Sequence, residues 1–180
     1  MTLGMKRGTV YLTEHQASWE ENAGQTIALL RKILGTAAVD IQHVGSTAVQ
    51  AIMAKPIIDI AVAVKALEEI RAFDEVLAKN GIIYRHEDVA DQLLYVMGDF
   101  AKDTRTHHIH VVAADSVAWR NYLAFRDYLN DNQEKALEYQ QLKRHLAEKY
   151  PHDRIAYTEE KQAWINAALE EARKDYRQQP

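Results

Sequence analysis

The sequence contains no cysteine. That excludes disulfides, a thiolate nucleophile and any zinc site built on cysteine. Seven glycines and three prolines leave no room for a long linker or a low-complexity segment, and no internal repeat is visible. No window has the apolar length of a membrane span, and the first residues lack the apolar core of a secretion signal. A cytoplasmic location with no membrane partner is therefore expected. A net positive charge is absent too: net charge is −4 at pH 7 and the pI is near 6.1. The chain as a whole has no attraction for nucleic acid, and none is expected as a partner, although a local basic pocket for a phosphate is compatible with that balance. What remains is an ordinary globular composition, 47% hydrophobic and 27% charged. The length suits one domain over residues 1–180, with a sheet core at about 8–114 and a helical part at about 115–176.

Periodicity supplies the elements. Trp19, Ala23, Ile27, Leu30 and Leu34 recur at helical spacing within Glu14–Leu34, with Glu20 and Glu21 early and Arg31 and Lys32 late, as the helix dipole favours. Leu67–Asn80 reads as a second amphipathic helix. Asp40–Val44, Pro56–Val64, Ile82–Arg85, Gln92–Phe100 and Thr106–Ala113 are strand candidates, the last two facing each other across a polar connection. Gly8–Thr13 reads as a short edge strand or an extended arm, and Thr47–Ile57 as a turn-and-helix segment. From residue 115 onward the pattern is helical: Asp115–Asn130 with Asp115 as N-cap, Glu134–Lys149, and roughly Thr158–Tyr176. The sum is an α+β layout, a mixed β-sheet packed by helices with a C-terminal helical layer.

One residue breaks its local pattern. Pro56–Val64 is β-branched and apolar except for Asp59, and a carboxylate inside such a strand is costly unless a cation or a hydrogen-bond donor meets it. Upstream, Gly45-Ser46 follows a strand, where glycine lets backbone amides approach a phosphate and Ser46, with Thr47, adds hydroxyl donors. Asp59 on the neighbouring strand is then placed to hold a divalent cation bridging the same phosphates. The plainer reading is a capped turn and a buried acid satisfied by backbone or by Lys55.

His108 and His110 alternate with Ile109, so they share one face of a strand and make a workable pair of metal ligands; His107 falls on the other face. With Asp59 they would form a two-histidine, one-carboxylate set, which suits Zn²⁺, Fe²⁺ or Mn²⁺ better than Mg²⁺. The same imidazoles could instead bind phosphate or move protons. Lys55 at the mouth of the Asp59 strand and Arg105 just before the histidine run are further phosphate-binding candidates. His43, beside the Gly-Ser turn, is expected to point into the cleft. Tyr157 and Lys161 sit one helical turn apart, placed either to close the site or to dock the last helix. Arg126 could reach the cleft from its helix, but an ion pair with Asp127 or Glu138 is the expected arrangement.

Taken together, HVGSTAV, AKPIIDI, HHIHVV, FRDYL, YQQLKRHLAEKY and AYTEEKQAWI resemble the GrpB family of bacterial proteins, from about Val10 to Ala172 and in the same order. The resemblance implies a nucleotidyltransferase-like fold. That superfamily's pattern is a hydrophobic residue, Gly, then Gly or Ser, a gap, then Asp, a hydrophobic residue and a second acid. Val44-Gly45-Ser46 and Asp59-Ile60 fill it, but Ala61 stands where the second acid belongs. Residues 59 and 61 of a strand share a face, so the usual acid pair for two metal ions cannot form from this strand. The resemblance implies metal-dependent phosphoryl or nucleotidyl transfer to a small substrate. In that reading a divalent metal (Mg, Mn or Zn) sits on Asp59, His108 and His110, which also act as the catalytic residues, and a phosphate-containing or nucleotide ligand rests on Gly45, Ser46, Thr47, Lys55 and Arg105. It equally admits a non-catalytic nucleotide- or coenzyme-binding module, since similar domains occur fused to dephospho-coenzyme A kinase as folding or accessory units. An Asp/His metal-dependent hydrolase or lyase is a further alternative.

Overall fold

The computed structural model describes residues 3–85 and 91–178, with side chains through residue 174. Seven strands and six helices are described: β1 (Met5–Lys6), α1 (Ala17–Leu34), β2 (Ala38–Val44), β3 (Ile58–Val64), α2 (Leu67–Ile70), α3 (Asp74–Lys79), β4 (Ile83–Arg85), β5 (Gln92–Met97), β6 (Thr104–Arg105), β7 (His107–Ala113), α4 (Val117–Asp131), α5 (Gln133–Lys149) and α6 (Arg154–Gln178). Five strands form a mixed sheet in the order β2-β3-β7-β5-β4, with β3 and β7 parallel and the other pairs antiparallel. β1 and β6 form a separate two-stranded ribbon. The expected α+β layout with a C-terminal helical layer is what the chain adopts.

The two faces of the sheet differ in chemistry because side chains alternate along each strand. Ile58, Ile60, Val62 and Val64 of β3 and Ile109 and Val111 of β7 face α1, where they bury Trp19, Ala23, Leu30 and Leu34. Each large apolar side chain buried here contributes about 1.5–3 kcal/mol. The opposite face carries Asp59, Ala61 and Ala63 on β3, in register with His108, His110 and Val112 on β7. α4 covers it: the Tyr122 ring packs on His110, and Arg126 donates to the Gln42 side chain and the His43 carbonyl of β2. Behind α4, the helical layer has its own core of Leu129, Ala136, Tyr139, Ala168 and Ala172. No helix among the described residues is long and apolar enough to cross a membrane.

Several elements depart from the sequence pattern, each for a tertiary reason. The first strand is Met5–Lys6, not Gly8–Thr13. It forms because Met5 and Lys6 pair with Arg105 and Thr104 inside the expected β5–β7 connection. Gly8–Thr13 is an extended arm that makes one bridge, Thr13 to Ala54. Thr47–Ile57 is not helical; a single 3-10 turn spans Ser46–Ala48. Helix 67–79 is interrupted by a 3-10 turn at Arg71–Phe73. α4 is capped by Ser116, whose hydroxyl accepts from the Trp119 amide at 3.1 Å, rather than by Asp115. α6 begins at Arg154, one turn earlier than Thr158.

Candidate functional site

Gly45 and Asp59 meet first. β2 ends at Val44, which lies opposite Asp59 on β3, so the chain must turn away directly over that carboxylate. Gly45 makes the turn at φ 71°, and a Cβ there would lie 2.6 Å from Asp59 Oδ2. Glycine is required on both counts. The turn continues into Ser46 and Thr47. Thr47 Oγ1 is 2.9 Å from His43 Nε2.

Parallel pairing of β3 with β7 sets Asp59 beside His108 and Ala61 beside His110. His108 Nδ1 is 3.2 Å from Asp59 Oδ1, and His110 Nε2 is 3.6 Å from the same oxygen. Burial pushes the Asp59 carboxyl up. The facing imidazoles outweigh that and hold it well below the usual carboxylate range, so Asp59 is a carboxylate at neutral pH. Burial lowers His108 in turn, with Arg154 adding to the effect against the pull of Asp59. The pair is thus an ionised acid accepting from a neutral imidazole.

The second nitrogen of His108 fixes its tautomer. Arg154, the first residue of α6, places Nη2 3.2 Å from His108 Nε2. A guanidinium only donates, so Nε2 accepts and Nδ1 carries the hydrogen given to Asp59. The result is a directed chain, Arg154 to His108 to Asp59. His110 differs: its Nδ1 is buried and has no partner among the described residues.

Over these residues lies a cavity of about 220 Å³ lined by Ser46, Thr47, Lys55, Ile57, Asp59, His108, His110, Lys143, Arg154, Tyr157, Thr158 and Lys161. Four of the lining side chains are cationic types, and Asp59 is the one acid among them. Lys143, only 1% exposed, donates to the Met53 carbonyl at 2.5 Å, while Gln140 accepts from the Met53 amide at 2.6 Å. α5 thereby clamps both sides of Met53 and fixes the segment that presents Lys55. The Lys55 and Lys161 amines both lie over the Tyr157 ring, at 5.1 and 4.6 Å from its centre. Burial, with repulsion from Lys161 and Arg154, pushes Lys55 down to about 7. Burial likewise pushes Lys161 down to about 8, and Lys143 well below its ordinary value. The Tyr157 hydroxyl is buried without a partner among the described residues.

Most of the residues singled out in the sequence meet here: Gly45, Ser46, Thr47, Lys55, Asp59, His108 and His110. Tyr157 and Lys161 also line the cavity. Arg105 does not. Its guanidinium lies over the Phe100 ring, donates to the Thr104 carbonyl and pairs with Asp103 at 3.3 Å, so it is committed to the β5–β7 connection. His43 also falls outside; in register with Ile60, it bonds Thr47, and burial pushes its pKa down to about 4. Arg126 pairs with Asp127 at 2.7 Å. Ala61 shares the face of Asp59 but is fully enclosed between Gln42 and His110. Lys143, Arg154 and Thr158 are the lining residues that pattern reading missed. Lys143 left a trace: it interrupts the buried stripe Ala136, Tyr139, Leu146 of α5.

The family described as GrpB protein matches residues 9–171. The chain belongs to the GrpB family. It is 38% identical over 172 residues to the glutamate-rich protein GrpB of Alkalihalophilus pseudofirmus, covering 94% of this chain and 99% of that protein. It is 32% identical over 161 residues to YqkA of Bacillus subtilis, covering 89% of this chain and 46% of that one. The crystal structure of the conserved protein GrpB from Enterococcus faecalis superposes with a TM-score of 0.84 at 32% identity, over 92% of this chain and 99% of that one. The GrpB fold here is also similar to Cid1, solved in complex with its short product ApU, with a TM-score of 0.53 at 14% identity over 75% of this chain and 42% of Cid1. That similarity shows a nucleotidyltransferase-like fold.

The donor atoms of Asp59, His108 and His110 lie within 4.8 Å of one another. One carboxylate and two imidazoles fit a first-row divalent ion better than Mg²⁺, and His110 Nδ1 is a buried nitrogen with no hydrogen-bond partner among the described residues.

Proposed function

We propose that the cavity binds the phosphates of a small molecule, such as a nucleoside triphosphate, together with a divalent cation at Asp59, as a nucleotidyl-transfer type of site. The observation that carries this reading is the charge imbalance. Lys55, Lys143, Arg154 and Lys161 come from three separate segments to one cavity whose sole acid among the described residues is Asp59. Gathering cationic groups in a partly buried space is unfavourable unless an anion joins them. The depressed lysine pKa values express that repulsion and burial. The buried Tyr157 hydroxyl adds a donor with no acceptor among the described residues. Cid1, which shares the fold, has been solved bound to MgATP. A divalent cation would supply charge neutralisation between the carboxylate and the phosphates. The chain's own contribution is to hold phosphate oxygens on Lys55, Lys143, Arg154 and Lys161, and to hold Asp59 ionised through His108.

A second reading, binding without transfer, is favoured by Ala61: no second acid stands beside Asp59 on its face of β3. Calorimetric titration with ATP in Mn²⁺ buffer, alongside an assay for pyrophosphate release in the presence of small hydroxyl acceptors, separates the two. Binding that is lost in Lys143→Met and accompanied by pyrophosphate release supports transfer. Binding without release supports the module. No binding of any nucleotide or of inorganic tripolyphosphate removes both.

A further inference from the structure

We propose that Arg154 occupies His108 in place of the metal, so that an anion in the cavity, by drawing Arg154 away, makes His108 available and couples anion binding to metal binding. This rests on the proposed function of the same site and goes beyond it by assigning the order and the coupling.

His108 has two ring nitrogens, and both are engaged: Nδ1 with Asp59 at 3.2 Å and Nε2 with Arg154 at 3.2 Å. Suppose Nε2 is the ligand; its lone pair is the one Arg154 now occupies. Suppose instead Nδ1 is the ligand; its hydrogen must move to Nε2, where it would point at guanidinium N–H groups that cannot accept it. Either way, coordination by His108 and the Arg154 hydrogen bond are mutually exclusive. With Arg154 docked, Asp59 and His110 are the only members of the three-residue cluster left to bind metal.

Arg154 has reason to leave. It lines the cavity with Lys55 and Lys161, and its charge disfavours the protonated form of both amines. The planar fork of a guanidinium matches two oxygens of a phosphate or sulfate, a stronger contact than one hydrogen bond to a neutral imidazole. It sits at the first position of α6, where side-chain reorientation breaks no helical hydrogen bond. An anion that takes Arg154 therefore removes the competitor for His108. By linkage, metal must tighten anion binding by the same factor that anion tightens metal.

The test uses Mn²⁺ as the metal and inorganic sulfate as the anion, which complexes Mn²⁺ only weakly. Mn²⁺ affinity is measured by calorimetry on the full chain at constant ionic strength, with chloride replaced by sulfate. For the wild type we expect sulfate to raise Mn²⁺ affinity at least fivefold. In Arg154→Met, which keeps the aliphatic stem, Mn²⁺ should bind as tightly without sulfate as the wild type does with it, and sulfate should change nothing. Asp59→Asn should lose Mn²⁺ under all conditions. An Asp59-dependent Mn²⁺ affinity indifferent to both sulfate and Arg154→Met overturns the coupling and leaves the metal site standing. Absence of Mn²⁺ binding from wild type and Arg154→Met alike, with and without sulfate, overturns the coupling and the metal site together. A wild-type Mn²⁺ affinity that sulfate leaves unchanged overturns the coupling even if the variant is unstable.

Discussion

Gly45 and Asp59 are locked together: a Cβ on residue 45 would sit 2.6 Å from Asp59 Oδ2 and 2.9 Å from its Cβ, at a backbone φ of 71°. The turn that opens the cavity and the carboxylate that anchors it are therefore one structural unit. Gly45→Ala should cost about 2 kcal/mol from backbone strain and the clash, seen as a melting temperature lower by roughly 4–8 °C. It should also displace Asp59 and weaken Mn²⁺ binding at least tenfold. A variant with unchanged melting and Mn²⁺ affinity would show that the turn and the carboxylate are independent.

Lys143 is 1% exposed and belongs to the helix that clamps Met53. Replacing a buried amine by an apolar chain of similar length removes its desolvation cost but leaves the Met53 carbonyl without its donor, and the two effects offset each other. Lys143→Met should thus melt within about 3 °C of the wild type, a change of about 1 kcal/mol, while sulfate affinity falls several-fold. Intact sulfate affinity would reassign Lys143 to a purely structural role.

Anion binding should depend on pH through Lys55 and Lys161, held at about 7 and about 8 chiefly by burial. The charged groups around them are Arg154, each other and Asp59, the carboxylate opposing the downward shift. Sulfate does not change charge in this range and prefers protonated amines. Its affinity should be highest below about pH 7 and decline through about pH 8 as the two lysines lose their protons. The ligand-free protein has the opposite slope. Unfolded lysine titrates near 10.5, so between about pH 7 and 10.5 the unfolded chain binds more protons, and these groups make stability rise with pH. Paired sulfate titrations and thermal melts across this range check both signs; a sulfate affinity flat in pH would exclude the two lysines from the anion site.

Ala61→Asp restores the second acid of the superfamily pattern on paper, yet position 61 is fully enclosed beside His110 and Gln42. A carboxylate buried there should cost about 3 kcal/mol. Thermal melting should show the loss, and Mn²⁺ affinity should not rise. A variant as stable as the wild type, with tighter Mn²⁺ binding, would mean that the face opens to solvent.

Arg105→Ala should leave sulfate affinity within about twofold, a change below about 0.5 kcal/mol, because the guanidinium is committed to Asp103, the Thr104 carbonyl and the Phe100 ring. Loss of the packed stem should lower stability by about 1 kcal/mol. A large drop in sulfate affinity would return Arg105 to the phosphate-binding set.

The five strands of the main sheet and the long helices were legible in the sequence, as was the face of β3 and β7 that carries polar groups; the β1–β6 ribbon and the turn at Ser46–Ala48 were not. Hydrophobic periodicity records burial of one side of an element, and Asp59, His108 and His110 stood out because each interrupts it. Alternation also placed His107 on the other face, where it meets Thr26 at 3.2 Å. Which of these residues meet was set by packing. The parallel pairing of β3 with β7 put His108 beside Asp59, and nothing in either strand encodes that neighbour. The same holds for Met5 finding Arg105, which turned a candidate phosphate ligand into part of a ribbon. Arg154 and Lys143 reach the cavity from helices far along the chain, where a cationic residue looks like any solvated one until packing removes the water. Periodicity is a local signal, whereas an ionic site is made by the convergence of distant segments.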